Sequence, residues 1–255
     1  MNETEGENQH VRAVVTSFRI LEVLRESGGG VSAIASELDL AKSTVHNHLQ
    51  TLEQLGYVVA DDGEYTLGLR LLDLGYHARR PYRLYEAAKP EADDIAERTG
   101  DRCQVMVREG TEGVYVYQTS GEQAITTDSH IGTRVDLHAT AVGKAYLAYL
   151  PESDLEEILT SSPLEKITEK TTTDREDLLE ELEEIREQGV AFNDEERILG
   201  MRAVGAPILA QGGTVLGGLS VSGPTTRFQG DRYQTEIPDI VRRSARVIGI
   251  KATYV

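Results

Sequence analysis

The sequence predicts an α+β fold in two parts: a helix-turn-helix with a hairpin wing, then an antiparallel sheet domain flanked by helices. Three observations carry this. Residues 31–67 read as a short helix, a turn, a second helix and a small hairpin. Beyond Pro81, apolar residues recur in some segments with a period of two and in others with a helical period. The strand-like segments come in pairs joined by short Gly-rich turns, which is the signature of hairpins rather than of crossover-linked parallel strands.

The elements follow in order. Val11, Val14, Val15, Phe18 and Leu21 mark a first helix over residues 11–25, stopped by Gly28-Gly29-Gly30, and Ser32 is placed to cap the next. Val45, Leu49 and Leu52 give the module's second helix its buried face. Residues 57–59 and 64–67 form a hairpin around Asp61-Asp62-Gly63. Residues 69–78 are helical, with Leu71, Leu72 and Gly75 on that helix, and Arg79-Arg80-Pro81 ends it at a domain boundary. The second part opens with a helix over 85–98, ended by Gly100, then a strand pair, 103–108 and 113–119, about a turn at 109–113. Residues 140–149 form a small-residue buried helix ended by Pro151. Residues 178–188 form an acidic helix with Leu178, Leu182 and Ile185 inward, stopped by Gly189. Strands at 203–209 and 215–221 flank Gln211-Gly212-Gly213, and a helix over 237–250 closes the chain. The domains are therefore 10–68, a linker helix 69–81, and 82–255.

Composition narrows the function classes. A chain of 255 residues holds one large domain or two ordinary ones. No apolar run reaches the ~18 residues of a membrane span, and residues 2–8 are acidic and polar, unlike a secretory signal, so a soluble cytoplasmic protein is expected. The lone Cys103 excludes an internal disulfide and reads as a small buried hydrophobe. The net charge is −17, and no basic tail marks a nucleic-acid arm. Acid-rich, lysine-poor composition suits a high-salt cytoplasm, where screening lengths shrink to roughly 3 Å at 1 M.

Against that charge stands the second helix of the module. Ser43, Asn47, Gln50 and Gln54 lie opposite its buried face, and none is acidic. Asn and Gln suit bidentate contact with adenine in the major groove, and Lys42, Ser43 and Thr44 open the helix where amide groups favour phosphate. Lys42, Ser43, Thr44, His46, Asn47 and Gln50 are the candidate DNA-contacting residues. The wing tip, Asp61-Asp62-Gly63-Glu64, repels phosphate, with Arg70, Arg79 and Arg80 the nearby bases that could compensate.

Other chemistries find little purchase. Asp194-Glu195-Glu196 reads as a solvated acidic run rather than a catalytic or metal cluster. The histidines lack metal-binding spacing: His46 and His48 diverge on their helix, and His138 reads as a structural hydrogen-bonder. No phosphate-binding glycine loop or nucleophile elbow occurs, so no cofactor, no metal and no enzymatic activity are expected.

Three collinear stretches resemble the IclR-type transcriptional regulators. They are residues 41–46 (AKSTVH) with 52–57 (LEQLGY) and 65–72 (YTLGLRLL); residues 137–145 (LHATAVGKA); and residues 189–196 (GVAFNDEE) with 200–207 (GMRAVGAP) and 220–224 (SVSGP). The likeness spans about residues 10 to 250. It implies a winged helix-turn-helix, a linker helix and a GAF-like effector domain with a curved antiparallel sheet. It also implies a homodimer or homotetramer on near-palindromic double-stranded DNA, and a small organic acid or related metabolite as effector. The resemblance places the ligand pocket at Val135, Ala141, Val142, Asn193, Ala203, Ser220 and Ser222. Two serines two apart on a strand do share a face, and the helix start at Gly143 offers amide groups for a carboxylate. The alternative reading is that Gly143 and the alanines permit close helix packing and that the two serines are surface positions. The chain departs from the family pattern at Asn193, where an acid is common, and at Ala203, where Cys or Ser is common. In the recognition helix Asn47 replaces a frequent Arg and His48 a frequent Leu, the latter expected to pack partly. The sequence thus points to a ligand-responsive DNA-binding regulator. An enzyme with a DNA-binding appendage and a ligand-free DNA-binding oligomer are the alternatives.

Overall fold

A computed structural model describes residues 10–82 and 84–253; the acidic residues 2–8 and the last two residues lie outside the described residues. The chain divides into two units, Met1–Pro81 and Tyr82–Val255.

The first unit runs α1 (Arg12–Glu26), β1 (Gly29–Gly30), α2 (Val31–Leu38), α3 (Lys42–Gln54), β2 (Val58–Asp61), β3 (Glu64–Leu67) and α4 (Arg70–Arg79). Its core gathers Ile20, Val23 and Leu24 of α1, Ile34 and Ala35 of α2, Val45, Leu49 and Leu52 of α3, and Val58. The α3 face is the one its spacing predicts. The α1 stripe is covered only at its C-terminal end: Val11, Val14, Val15 and Phe18 remain 43% to 67% exposed. Ser32 does not cap α2; Gly30 holds that position and no side chain accepts there. The hairpin pairs Val58↔Leu67 through Asp61↔Glu64, shifting the first strand one residue beyond the predicted start. Its turn, Asp62-Gly63, has φ of 47° and 85°, the two positive values a type I′ turn requires. The triglycine does more than stop α1: Gly29 and Gly30 pair with Tyr65 and Glu64 as a third, edge strand. None of α4 is buried.

The second unit contains α5 (Leu84–Thr99), β4 (Arg102–Glu109), β5 (Glu112–Ser120), β6 (Arg134–Asp136), α6 (Ala141–Leu147), α7 (Glu152–Ser161), α8 (Arg175–Gln188), β7 (Ala191–Asp194), β8 (Met201–Leu209), β9 (Val215–Pro224) and α9 (Ile237–Thr253). The strands form one antiparallel sheet in the order β6-β5-β4-β9-β8-β7. Alternation sorts each strand between two cores. Cys103, Val105, Val204, Ala206, Leu219 and Val221 pack under α5 and α9. Met106, Tyr115, Val135 and Ala191 pack with α6, α7 and α8. Cys103 is the buried hydrophobe its sequence suggests, its thiol pushed up by burial. The sequence reading contains no α7, β6 or β7. The two strands are only three and four residues long and lack a readable period.

Candidate nucleic-acid interface and ligand cavity

On α3 the polar face lies open. Lys42, Ser43, His46, Asn47, Gln50 and Gln54 are exposed and Thr44 is half-buried. Ala41 precedes the helix without a side chain to accept its first-turn N–H groups, and that turn holds no acid. The helix start is therefore free of the usual internal competitor for an anion. His48 turns the other way: it is half-buried and its Nδ1 lies 2.9 Å from Ser17 Oγ on α1. Arg70 is committed within the unit and is not the loose base the sequence suggests. Its Nη1 donates to Leu55 O at 2.6 Å and its guanidinium stacks 5.0 Å from the Tyr57 ring centre. The wing residues Asp61, Asp62 and Glu64 are all exposed.

The second unit holds a half-open cavity of about 50 Å3 on the α6 face of the sheet. Of the predicted ligand residues, Ala141, Val142, Asn193, Ala203, Ser220 and Ser222 line it together. Val135 does not; it is buried in the core that packs with α6, α7 and α8. The amide of Gly143 is not available to a carboxylate, since it donates to Thr140 Oγ1 at 3.0 Å. Gly143 is instead a packing glycine: a Cβ there would lie 2.6 Å from Leu137 Cα. Gly205 does the same from β8, where a Cβ would stand 2.5 Å from Ala141 C. The first approach seats α6 on the turn that precedes it, and the second seats it directly on β8. Asn193 Nδ2 donates to Ala139 O at 2.8 Å, which fixes the amide in the wall.

Sequence reasoning missed the cavity's most polar groups. Gln104 reaches it from β4, where it pairs opposite Ser220. Thr127 and Ser129 come from the loop between β5 and β6, Arg197 and Ile198 from the turn after β7, and Arg202 from β8. Arg202 is held by Asp194 at 2.7 Å, which keeps that carboxylate below its ordinary range. Arg197 forms a bidentate pair with Asp128, at 3.2 and 2.9 Å. Arg102, behind the loop, donates to Thr127 Oγ1 and to Ile125 O, and its desolvation lowers its pKa.

Beside the cavity sits a buried ion cluster. Lys144 is 1% exposed, and its Nζ lies 2.7 Å from Glu196 Oε2 and 2.5 Å from Glu181 Oε1. Glu196 is 7% exposed, and burial raises its carboxyl above the ordinary range despite Lys144. The acidic run is thus not uniformly solvated. Asp194 pairs with Arg202, Glu195 with Lys170, and Glu196 points inward. Glu195 also takes a positive φ of 67° while its carboxylate accepts from Gly200 N at 2.7 Å, which closes residues 195–200 into a tight turn over the cavity. His138 is structural as expected, buried with Nε2 3.0 Å from Glu165 O. Among the described residues no His, Cys, Asp or Glu cluster could hold a metal, and no helix is long and apolar enough to cross a membrane.

Comparison with known proteins places these features. The family model described as the bacterial transcriptional regulator IclR C-terminal domain matches residues 77–250, and that of the IclR helix-turn-helix domain matches residues 13–62. The probable HTH-type transcriptional regulator ArcR of Halobacterium salinarum is 34% identical over 253 residues, covering 96% of this chain and 95% of that protein. The crystal structure of the Thermotoga maritima IclR superposes with a TM-score of 0.83 at 33% identity, covering 96% of this chain and all of that one (100%). An IclR homolog from Microbacterium hydrocarbonoxydans, complexed with 4-hydroxybenzoate, shares the fold at 24% identity, with a TM-score of 0.80 and 95% and 99% of the two chains covered. The open polar recognition helix, the six-stranded sheet with its cavity and these matches along the chain lead to one assignment: the protein belongs to the IclR family of transcriptional regulators, with an N-terminal DNA-binding helix-turn-helix and a C-terminal ligand-binding domain.

Proposed function

We propose that the protein is a regulator without enzymatic activity, in which a small organic acid bound in the second unit's cavity shifts the population competent to bind DNA. The observation that carries this is the cavity's lining: hydroxyls, amides and two guanidiniums, with no carboxylate, histidine, lysine or cysteine among the lining residues. Such a lining attracts an anion, and no carboxylate, histidine or lysine among the lining residues stands ready to activate its hydroxyls as nucleophiles. At about 50 Å3 the half-open cavity has room for roughly three to five water-sized groups, so a compact acid fits.

In this reading residues 10–68 read DNA, 69–81 link, and 82–255 sense the effector. Lys42, Ser43 and Thr44 meet phosphate, and His46, Asn47 and Gln50 face base edges in the major groove. The protein acts in the cytoplasm as a homodimer or homotetramer on a near-palindromic operator, with half-sites about 34 Å apart or a multiple. The uncovered apolar residues of α1, Val11 to Phe18, supply a surface for self-association. The effector shifts DNA affinity by no more than its preference for one conformation. Gel shifts on DNA upstream of the protein's own and adjacent genes, with and without carboxylic acids, test this. A specific complex altered by an acid is the expected result. No specific complex on any such DNA overturns it.

A further inference from the structure

Resting on the effector reading above, we propose that Arg197 is the receptor for the effector's carboxylate and that Asp128 is its resident stand-in, exchanged for the ligand on binding. The two guanidiniums that line the cavity are held differently. Arg202 is fixed by Asp194, its register partner on the adjacent strand, and donates to Phe228 O at 2.9 Å. It is scaffold. Among the described residues Arg197 is gripped from the loop side alone, by Asp128 in bidentate fashion and more distantly by Ser129 Oγ at 3.4 Å. The partners differ in solvation: the Asp128 side chain is 66% exposed and that of Arg197 is 18% exposed.

A bidentate pair with one partner in water is the arrangement most open to replacement by another carboxylate in the same geometry. The residues on either side of Asp128, Thr127 and Ser129, both line the cavity, so an acid inside it lies next to the position Asp128 occupies. Arg197 itself is well placed to stay. Its neighbour Glu196 is anchored inward by Lys144 at 2.7 Å, which fixes the root of the 195–200 turn. The loop also stays attached, through Arg102 to Ile125 O and through Gln118 Nε2 to Ser129 O at 3.1 Å. What the exchange breaks is the Arg197–Asp128 ionic link between loop and turn.

The chemistry recognised is a monocarboxylate with a small polar body. Asn193 is neutral, and with no Asp or Glu among the lining residues the cavity has no competing internal anion.

The test is calorimetric titration of the full-length protein with pyruvate, lactate and benzoate, each beside its primary amide. Wild-type protein should bind at least one acid and bind its amide at least tenfold more weakly. Asp128→Asn should tighten the acid by up to about fivefold, the worth of an exposed pair. Arg197→Gln should weaken it by about 10- to 100-fold, the worth of charge-assisted hydrogen bonds, and Arg197→Lys should fall between. A merely structural pair predicts that Asp128→Asn and Arg197→Gln weaken binding alike, and that result overturns the exchange. Acid and amide binding equally well overturns it too, while leaving the cavity an effector site. No binding of any acid or amide to wild type or to Asp128→Asn overturns both readings.

Discussion

Replacing Lys144 by Met separates burial from charge in the second unit. The side chain is 1% exposed and sits between two carboxylates of unequal burial, with side-chain exposures of 10% for Glu196 and 29% for Glu181. Glu181 can rehydrate when Lys144 is lost; Glu196 cannot. The variant therefore leaves one uncompensated buried carboxylate, a loss of about 3–5 kcal/mol. For a unit of this size each kcal/mol lowers Tm by roughly 2–4 °C, so the unit should melt about 6–20 °C earlier. The pH dependence carries a sign. The Glu196 carboxyl already titrates above its ordinary 4.5 because of burial. Its stabilising effect is complete below pH 4.5 and is lost as pH rises through the raised value. Removing the cation raises that value further, so the variant's deficit against wild type should be smallest at low pH and widen as pH rises. Neutralising the orphan should recover much of the loss: Lys144→Met/Glu196→Gln should exceed Lys144→Met by at least about 2 kcal/mol at pH 7. Differential scanning calorimetry across pH 4 to 8 measures both. A single variant within about 1 kcal/mol of wild type, or a double variant no better than the single, refutes the claim that Glu196 depends on Lys144.

Further expectations concern the first unit. Asn47→Ala should cost about 1–3 kcal/mol at one operator base and relax specificity there, whereas Lys42→Ala should weaken all sequences evenly; binding to an operator mutant panel separates the two. Between 0.05 and 0.2 M salt, affinity should fall by less than about tenfold, against the 10³–10⁵ of a binder that relies on phosphates, and a steep slope would contradict reading through base contacts. Phe18→Glu, on the uncovered stripe of α1, should shift sedimentation toward monomer with little change in melting, since the side chain is 62% exposed.

What the sequence disclosed depended on whether the determining interaction was periodic. The buried face of α3 was legible because Val45, Leu49 and Leu52 obey a helical repeat within one element. Periodicity also found the α1 stripe, but not that the fold covers only Ile20, Val23 and Leu24 at its end, since the partner of a face is not written in the face. In the cavity, Ser220 and Ser222 were placed by the family resemblance, strand alternation saying only that they share a face, whereas Gln104 needs the β4–β9 register to meet them. Arg197 and Thr127 reach the same space from two loops far apart in sequence, where no period operates. Lys144 was hidden for a different reason. Lysine ordinarily keeps its ammonium in water, and only the convergence of α6, α8 and the turn after β7 makes a dry site for it.

The glycine contacts of α6 bear on how this protein can acquire a new effector. With Gly143 and Gly205 each leaving no space for even a methyl group, the floor of the cavity is closed to variation, and so is the placement of Ala141 and Val142 upon it. Thr127, Arg197, Ile198 and Met201 are only half-buried in the surrounding loops and strand end, where side chains can change size without displacing a packed helix. Evolvability is thereby concentrated at the rim. A library confined to those four positions should yield altered effector preference in folded protein, while one that includes the two glycines should mostly yield unfolded chains.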